Sequence, residues 1–277
     1  MYDNRPFLAA VLGNPISHSK SPRMHNYWLK KNQINGYYMP IKVKLGDFEK
    51  TIKSLISMGF SGVNVTIPHK LSALEIADES SETAQSIGAA NTLIFSKEKK
   101  IYADNTDAYG FIRNIKSKFP NWDPKKGASV VLGAGGASRA VIAALLSEGS
   151  GKIIVLNRTI EKAEELKIEF NNKISVESWS HLDEIVASSS NIINTTSLGM
   201  NNETFVPIDP KSIPKEALVS DLVYTPLKTK LLKLGQDRGS KTVDGLGMLM
   251  YQGIPGFEAW FGQTPLVTEE LRKILMK

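Results

Sequence analysis

The sequence predicts an α/β protein built as two domains, and three observations carry this. Strand-like apolar runs alternate with helix-periodic segments along most of the chain, the pattern of parallel strands joined by crossover helices. One such crossover, Val130-Val131-Leu132-Gly133-Ala134-Gly135-Gly136, passes from a buried strand through a glycine turn into an alanine-rich helix. The length, 277 residues, exceeds one ordinary domain and leaves each half enough chain for its own core.

Taken in order, residues 7–12 read as a strand and residues 21–31 as a helix, with Ser21 as cap and Pro22 in its first turn. Residues 37–43 are extended. Asp47 caps a helix that runs to about Met58 and ends at Gly59. Residues 63–67 form a short strand stopped by Pro68. Residues 92–95 and 101–103 pair as a hairpin around the lysine-rich turn 97–100. A helix over 105–118 and a connector over 120–124 follow. Next come a strand at 128–132, a helix at 138–147, a strand at 153–156 and a helix at 160–170. Further strands fit 174–176, 192–194, 218–222 and 242–243, and helices at 248–260 and 268–276 close the chain. Boundaries fall near 107–124 and 245–247, giving a first domain over 1–107 and a second over 108–247.

Composition narrows the chemistry. A chain 42% hydrophobic and 22% charged, with 21 Gly and 13 Pro, is neither disordered nor collagen-like. The count of 0 cysteines removes disulfides, thiol nucleophiles and Cys-ligated zinc or iron–sulfur sites. His18, His25, His69 and His181 show no metal-ligand spacing, so no metal site is expected. The apolar run at 7–13 is short and follows Asp3 and Arg5, which does not make a signal peptide. The stretch 127–147 carries only Arg139 as a charge, but its glycine turn breaks it into strand and helix rather than a membrane span. A cytoplasmic protein is expected. The net charge of +6 comes from scattered lysines without aromatic interleaving, which reads as surface and not as a nucleic-acid or membrane footprint.

The glycine turn has a specific use. Gly133, Gly135 and Gly136, with Ala134 and Ala137, let the backbone turn tightly and approach a pyrophosphate at a helix N-terminus. Ser138 stands where a third glycine is usual, and its small side chain still permits close helix–strand packing. A Rossmann-like dinucleotide-binding domain with a parallel sheet is the expectation. At the end of the second strand an NAD site wants a carboxylate for the ribose hydroxyl. Here Asn157, Arg158 and Thr159 offer an amide, a guanidinium and a hydroxyl, with Lys162 one turn on. Those groups suit a 2′-phosphate, so NADP is expected over NAD. Asn157 or Thr159 also serves as helix cap.

The first domain carries short polar motifs at turns. Ser17 and Ser19 share one face of an extended segment and suit a carboxylate or polyol, though alone the pair reads as capping serines. Asn64 and Thr66 share a strand face, and Pro68 ends the strand so that Lys70 projects nearby. A cleft lysine is a proton donor when burial lowers its pKa, and a carboxylate can position it. Asn91-Thr92 and Asp104-Asn105-Thr106-Asp107 add amides and carboxylates. Each is ordinary turn chemistry; together, ahead of a dinucleotide domain, they predict a cleft for a small polyhydroxylated substrate.

The ordered set of motifs resembles the shikimate dehydrogenase family over nearly the whole chain. It comprises Ser17-His18-Ser19-Lys20-Ser21-Pro22, Asn64-Val65-Thr66-Ile67-Pro68-His69-Lys70, Gly88-Ala89-Ala90-Asn91-Thr92 and Asp104-Asn105-Thr106-Asp107. It continues with Gly133-Ala134-Gly135-Gly136-Ala137-Ser138-Arg139, Asn157-Arg158-Thr159 and Asp244-Gly245-Leu246-Gly247-Met248-Leu249. The resemblance implies NADPH-dependent reduction of 3-dehydroshikimate to shikimate, with Lys70 as acid/base paired with Asp107. It implies that Ser17 and Ser19 bind the substrate carboxylate, that Asn64, Thr66, Asn91, Asp107 and Gln252 hold the ring hydroxyls, and that Tyr224 lies near the substrate. Gly245 and Met248 would lie against the nicotinamide, and residues 248–277 would rejoin the first, substrate-binding domain. Ala108 and Thr195 depart from the usual glycine and alanine. A quinate/shikimate dehydrogenase is the near alternative and an NADP- or metabolite-sensing protein without catalysis the farther one. A homodimer or a monomer is equally compatible with the sequence.

Overall fold

The computed structural model describes residues 5–202 and 204–277; Asp3 lies outside them. The chain divides into two compact units, residues 1–106 with 249–277, and residues 107–248.

The first unit contains a six-stranded sheet of order β2-β1-β3-β5-β6-β4. Its strands are β1 (Phe7–Gly13), β2 (Gly36–Lys42), β3 (Gly62–Val65), β4 (Glu79–Ser80), β5 (Thr92–Phe95) and β6 (Ile101–Asp104). β1 runs parallel to β2 and β3, while β3–β5 and β5–β6 are antiparallel, so the sheet is mixed and not wholly parallel. The hairpin closes through the turn from Ser96 to Lys100, whose hydroxyl at Ser96 accepts from the amides of Glu98 and Lys100. Helices α1 (Ser21–Lys31), α2 (Phe48–Ser57), α3 (Lys70–Glu75) and α4 (Glu82–Ile87) belong to this unit. Leu12, Ile52, Val63, Leu93 and Ala103 are buried at its centre.

The second unit is a parallel sheet of order β12-β11-β10-β7-β8-β9. Its strands are β7 (Ala128–Leu132), β8 (Ile153–Asn157), β9 (Ser175–Ser178), β10 (Ser189–Asn194), β11 (Leu218–Asp221) and β12 (Lys241–Asp244). Read from β9, the order is 3-2-1-4-5-6, the dinucleotide-binding arrangement, with its switch point between β7 and β10. Val130, Leu132, Ile154, Leu156, Ile192 and Val219 are buried, as strands covered on both faces require. Its helices are α5 (Asp107–Lys118), α6 (Gly136–Ser147), α7 (Ile160–Glu169), α8 (Leu182–Ala187) and α9 (Lys230–Arg238).

Two helices end the chain, α10 (Gly245–Phe261) and α11 (Glu269–Met276). Within the first unit, α1 grips the C-terminal segment: Trp28 Nε1 donates to Leu266 O at 2.9 Å, Arg23 to Ile274 O at 3.2 Å, and Lys20 Nζ to Leu275 O. Tyr27 and Lys31 both reach Glu270. From α10, Trp260 Nε1 donates to Leu93 O at 3.0 Å.

Several boundaries differ from those the sequence predicts. Ser21 is the first helical residue of α1 and Lys20 holds the cap position; Ser19 supplies the hydroxyl that accepts from the Ser21 amide at 3.3 Å. Asp47 occupies its cap position without a side-chain bond. β3 ends at Val65, so Thr66 lies just past the strand, its amide still donating to Leu12 O at 2.9 Å. α5 starts at Asp107 and α6 at Gly136. The first of the two closing helices starts at Gly245 and not at Met248, so Gly245 and Gly247 are helical. Their missing side chains allow contact: a Cβ on Gly245 would sit 2.1 Å from Leu222 O, and one on Gly247 1.8 Å from Asn114 Oδ1. The six-residue helices α3, α4 and α8, the two-residue strand β4 and the nine-residue helix α9 have no counterpart in the sequence reading.

His25 sits at the centre of an aromatic cluster in the first unit. It stacks on Tyr38 with centroids 4.0 Å apart and packs edge-on to Trp28, with Phe257 and Trp260 close by. Neither ring nitrogen has a hydrogen-bond partner among the described residues, and burial pushes its pKa down to about 3. The unfolded chain therefore binds a proton that the folded chain refuses, and stability falls as pH drops from 6.5 towards 3. The loss reaches about 5 kcal/mol at most. His25→Phe should flatten this acid limb, measured by urea unfolding between pH 4 and 7; parallel curves for the two proteins would refute the assignment.

Candidate functional site

In the first unit, the ends of β1, β3, β5 and β6 bring a polar network together. The loop after β1 binds the loop after β3 through Asn14 N to Ile67 O at 2.9 Å. Gly13 makes this possible, since a Cβ there would lie 2.5 Å from Thr66 Cγ2. Asn64, last but one in β3, accepts from Tyr38 Oη at 2.6 Å and donates to Asn91 O at 3.2 Å and Thr92 Oγ1 at 3.1 Å. The Asn91 carbonyl can only accept, which fixes the orientation of the Asn64 amide.

Asn91 is the hub. Its Oδ1 accepts from Thr106 N at 2.9 Å and from Thr92 Oγ1 at 2.9 Å, while its Nδ2 donates to Thr106 Oγ1 at 3.1 Å and Gln252 Oε1 at 3.4 Å. Gln252 in α10 commits one N–H to Leu249 O and retains a second. All four residues are buried. Lys70 opens α3, partly buried, and its carbonyl accepts from Ala90 N at 2.9 Å, so it is tied to the segment that carries Asn91. Ser17 is exposed and Ser19 is partly buried. The hydroxyl of Thr66 makes no hydrogen bond among the described residues.

Asp107 lies in the second unit, at the first residue of α5. There the turn from β7 to α6 has Gly133 at φ 104°, with room for no Cβ: Thr196 Cγ2 would be 2.7 Å away. Gly135 and Gly136 are exposed, and a Cβ on either would meet no atom within 4 Å. Packing therefore explains Gly133 but not the next two, which leave an open cradle where a ligand's phosphates can approach backbone. Ser138 is fully buried and donates to Gly135 O at 2.6 Å. Asn157 accepts from Ala134 N at 3.2 Å and donates to Thr159 O at 2.6 Å, joining the cradle to the end of β8. Thr159 holds the cap position of α7 without a side-chain bond. Arg158 is exposed.

At the far side of the switch point, Tyr224 is partly buried, and burial raises its pKa. Gly245 and Met248 lie in the first turn of α10. Tyr38 belongs to the network of the first unit although the sequence gives it no role, and Thr106, read only as one residue of the 104–107 motif, is one of its centres. Among the described residues no group of His, Asp and Glu is arranged to hold a metal.

A parallel 3-2-1-4-5-6 sheet with an open glycine cradle, in one chain with a buried network of amides and hydroxyls, defines a dinucleotide-dependent α/β protein with a small-molecule site. Residues 11–93 match the model of the shikimate dehydrogenase substrate binding domain, and residues 114–206 that of shikimate / quinate 5-dehydrogenase. The NADP(+) shikimate dehydrogenase of Roseobacter denitrificans is 47% identical, covering 97% of both chains. Shikimate 5-dehydrogenase from Thermus thermophilus, solved with NADP(H) and shikimate, is 34% identical with a TM-score of 0.86 over 97% of this chain and 98% of that one. Quinate dehydrogenase from Corynebacterium glutamicum, solved with NAD, is 28% identical with a TM-score of 0.91 over 98% and 99%. The chain belongs to the shikimate dehydrogenase family.

The glycine geometry separates folding from binding. Gly133→Ala should lower stability by about 1–3 kcal/mol through its left-handed backbone and the Thr196 contact. Gly135→Ala should stay within about 0.5 kcal/mol. Thermal unfolding of both variants checks this, and equal losses would contradict it.

Proposed function

We propose that the protein catalyses the reversible, NADPH-dependent reduction of 3-dehydroshikimate to shikimate, within the shikimate pathway that leads to chorismate and the aromatic amino acids. The observation that carries this reading is the buried Asn64–Asn91–Thr106–Gln252 network hydrogen-bonded to the segment that holds Lys70. It belongs to a chain 47% identical to an NADP(+) shikimate dehydrogenase. Such a network has few rotational freedoms left and presents fixed partners to ring hydroxyls.

In this reading Ser17 and Ser19 bind the substrate carboxylate, and Asn64, Thr66, Asn91 and Gln252 orient the ring. Lys70 gives a proton to the carbonyl oxygen as it becomes an alkoxide, and takes it back in the reverse direction. Asp107 orients that ammonium and a ring hydroxyl, and Tyr224 stands by the substrate. NADPH supplies the hydride. Gly133, Ala134, Gly135, Gly136 and Ala137 hold its pyrophosphate, Gly245 and Met248 flank the nicotinamide, and Asn157, Arg158 and Thr159 hold the adenosine phosphate. The open space at Gly135 and Gly136 and the exposed Arg158 fit this assignment. Residues 1–107 with 248–277 serve the substrate and 108–247 the cofactor. A cytoplasmic location and a homodimeric or monomeric state complete the reading; no helix among the described residues is long and apolar enough to cross a membrane. Turnover of quinate is a second reading, supported by the likeness to a quinate dehydrogenase.

Lys70→Ala should lower kcat by at least about 10²-fold with a smaller change in KM; a near-normal kcat in a spectrophotometric assay would reject the role. Arg158→Ala should raise KM for NADP+ far more than for NAD+, and equal losses would reject the phosphate contact. Comparing kcat/KM for shikimate and quinate in the same assay separates the two substrate readings.

A further inference from the structure

Asp221 ends β11 and is 1% exposed. Its Oδ1 accepts from Asn194 Nδ2 at 2.9 Å and from Val223 N at 3.0 Å; its Oδ2 accepts from Thr229 Oγ1 at 2.6 Å. One carboxylate thus gathers the end of β10, the turn after β11 and the cap of α9. Each partner is itself committed. Asn194 gives its second N–H to Leu198 O and accepts from Thr196 N and Thr196 Oγ1, and Thr229 accepts from Leu232 N. The Thr196 end of this network abuts Gly133, and Thr195 Oγ1 donates to Leu132 O at 2.7 Å.

Among the described residues every direct partner of the carboxylate is neutral. On the neighbouring strand Asp244 stands in register with it, but Asp244 is held by Lys118 at 2.8 Å. Lys230, next to Thr229 on α9, lies over the ring of Phe205 at 4.7 Å, and Tyr224 lies on the turn itself. Burial pushes Asp221 up to about 6 despite its three donors. Packing alone does not call for the charge, since an asparagine would accept from Asn194 and Val223 with its Oδ1 and give an N–H to Thr229. Charged acceptors hold their donors more tightly than neutral ones, however.

We propose that Asp221 is a positioning residue that, as a carboxylate, fixes the turn over residues 222–229 and through it the ring of Tyr224. The inference rests on the reading of Tyr224 as a residue beside the substrate. Two of the three donors, Asn194 N–H and Val223 N–H, cannot turn into acceptors, so a protonated Asp221 holds the turn less firmly.

The test is a double-mutant cycle between Asp221→Asn and Tyr224→Phe, read as kcat for shikimate oxidation, with thermal unfolding of the cofactor-free proteins from pH 5 to 8. Asp221→Asn should lower kcat by about tenfold to a hundredfold while its Tm at pH 8 is unchanged or raised. The wild type binds an extra proton when folded between about pH 4 and 6 and loses that stabilisation as pH rises; the variant's relative Tm should therefore climb with pH. The double variant should be no slower than the slower single one. A Tm that falls with kcat, additive losses, or an unchanged kcat in Asp221→Asn would each overturn the proposal. Tyr224→Phe with normal kinetics would remove the reading of Tyr224 itself, a failure visible in that single variant before the cycle is closed.

Discussion

The first unit depends on the amide of Asn91. A buried side-chain amide must find partners for both N–H groups and its oxygen, or destabilise the core by about 1–3 kcal/mol for each left unmade. Asn91 finds them in Thr92, Thr106 and Gln252, while its backbone joins Val65 and Asp104. These residues come from separate parts of the chain, and satisfying one amide sets where all of them stand. The same requirement that keeps the core from losing stability also fixes the amides and hydroxyls assigned above to the substrate. The hydrogen bond from Tyr38 to Asn64 extends the arrangement by one residue, and the Asn91 carbonyl, which can only accept, leaves the Asn64 amide no alternative orientation.

The second unit solves a different problem with close approach. Where strands end and helices begin, backbone must pass within contact distance of backbone. Gly133 against Thr196 and Gly245 against Leu222 O are places where any side chain would collide. Gly135 and Gly136 meet nothing. Two kinds of glycine thus stand side by side in one motif, one required by the protein's own packing and the other bordering open space.

Much of this was legible in the sequence because it depends on local pattern. The buried strands of the second unit are uninterrupted apolar runs, the glycine turn has a narrow set of spacings, and the hairpin at 92–104 advertises its turn. The motifs at 64–70, 91–92 and 104–107 stood out as polar residues at strand ends. What escaped depends on contacts distant in sequence. Helices of six residues such as α3 and α4 are too short for periodicity to register. Gly245 and Gly247 read as a boundary ahead of a helix and not as its first turn, because the neighbours that fill their missing side chains, Leu222 and Asn114, lie far away along the chain. Ser21 looked like a cap, yet the hydroxyl that serves the start of α1 belongs to Ser19. Asp221 carried no local signal of its importance; only the fold reveals how many partners it has.

The clasp between α1 and the C-terminal segment imposes an order of events on synthesis. Trp28, Arg23 and Lys20 emerge from the ribosome early, but the carbonyls they bind belong to Leu266, Ile274 and Leu275. Gln252 and Trp260, which complete the Asn91 hub and reach Leu93, also come late. The second unit, drawn from one continuous stretch of chain, has every residue it needs before the first does. The polar hub of the first unit cannot be complete until Gln252 has been made, after every residue of the second unit.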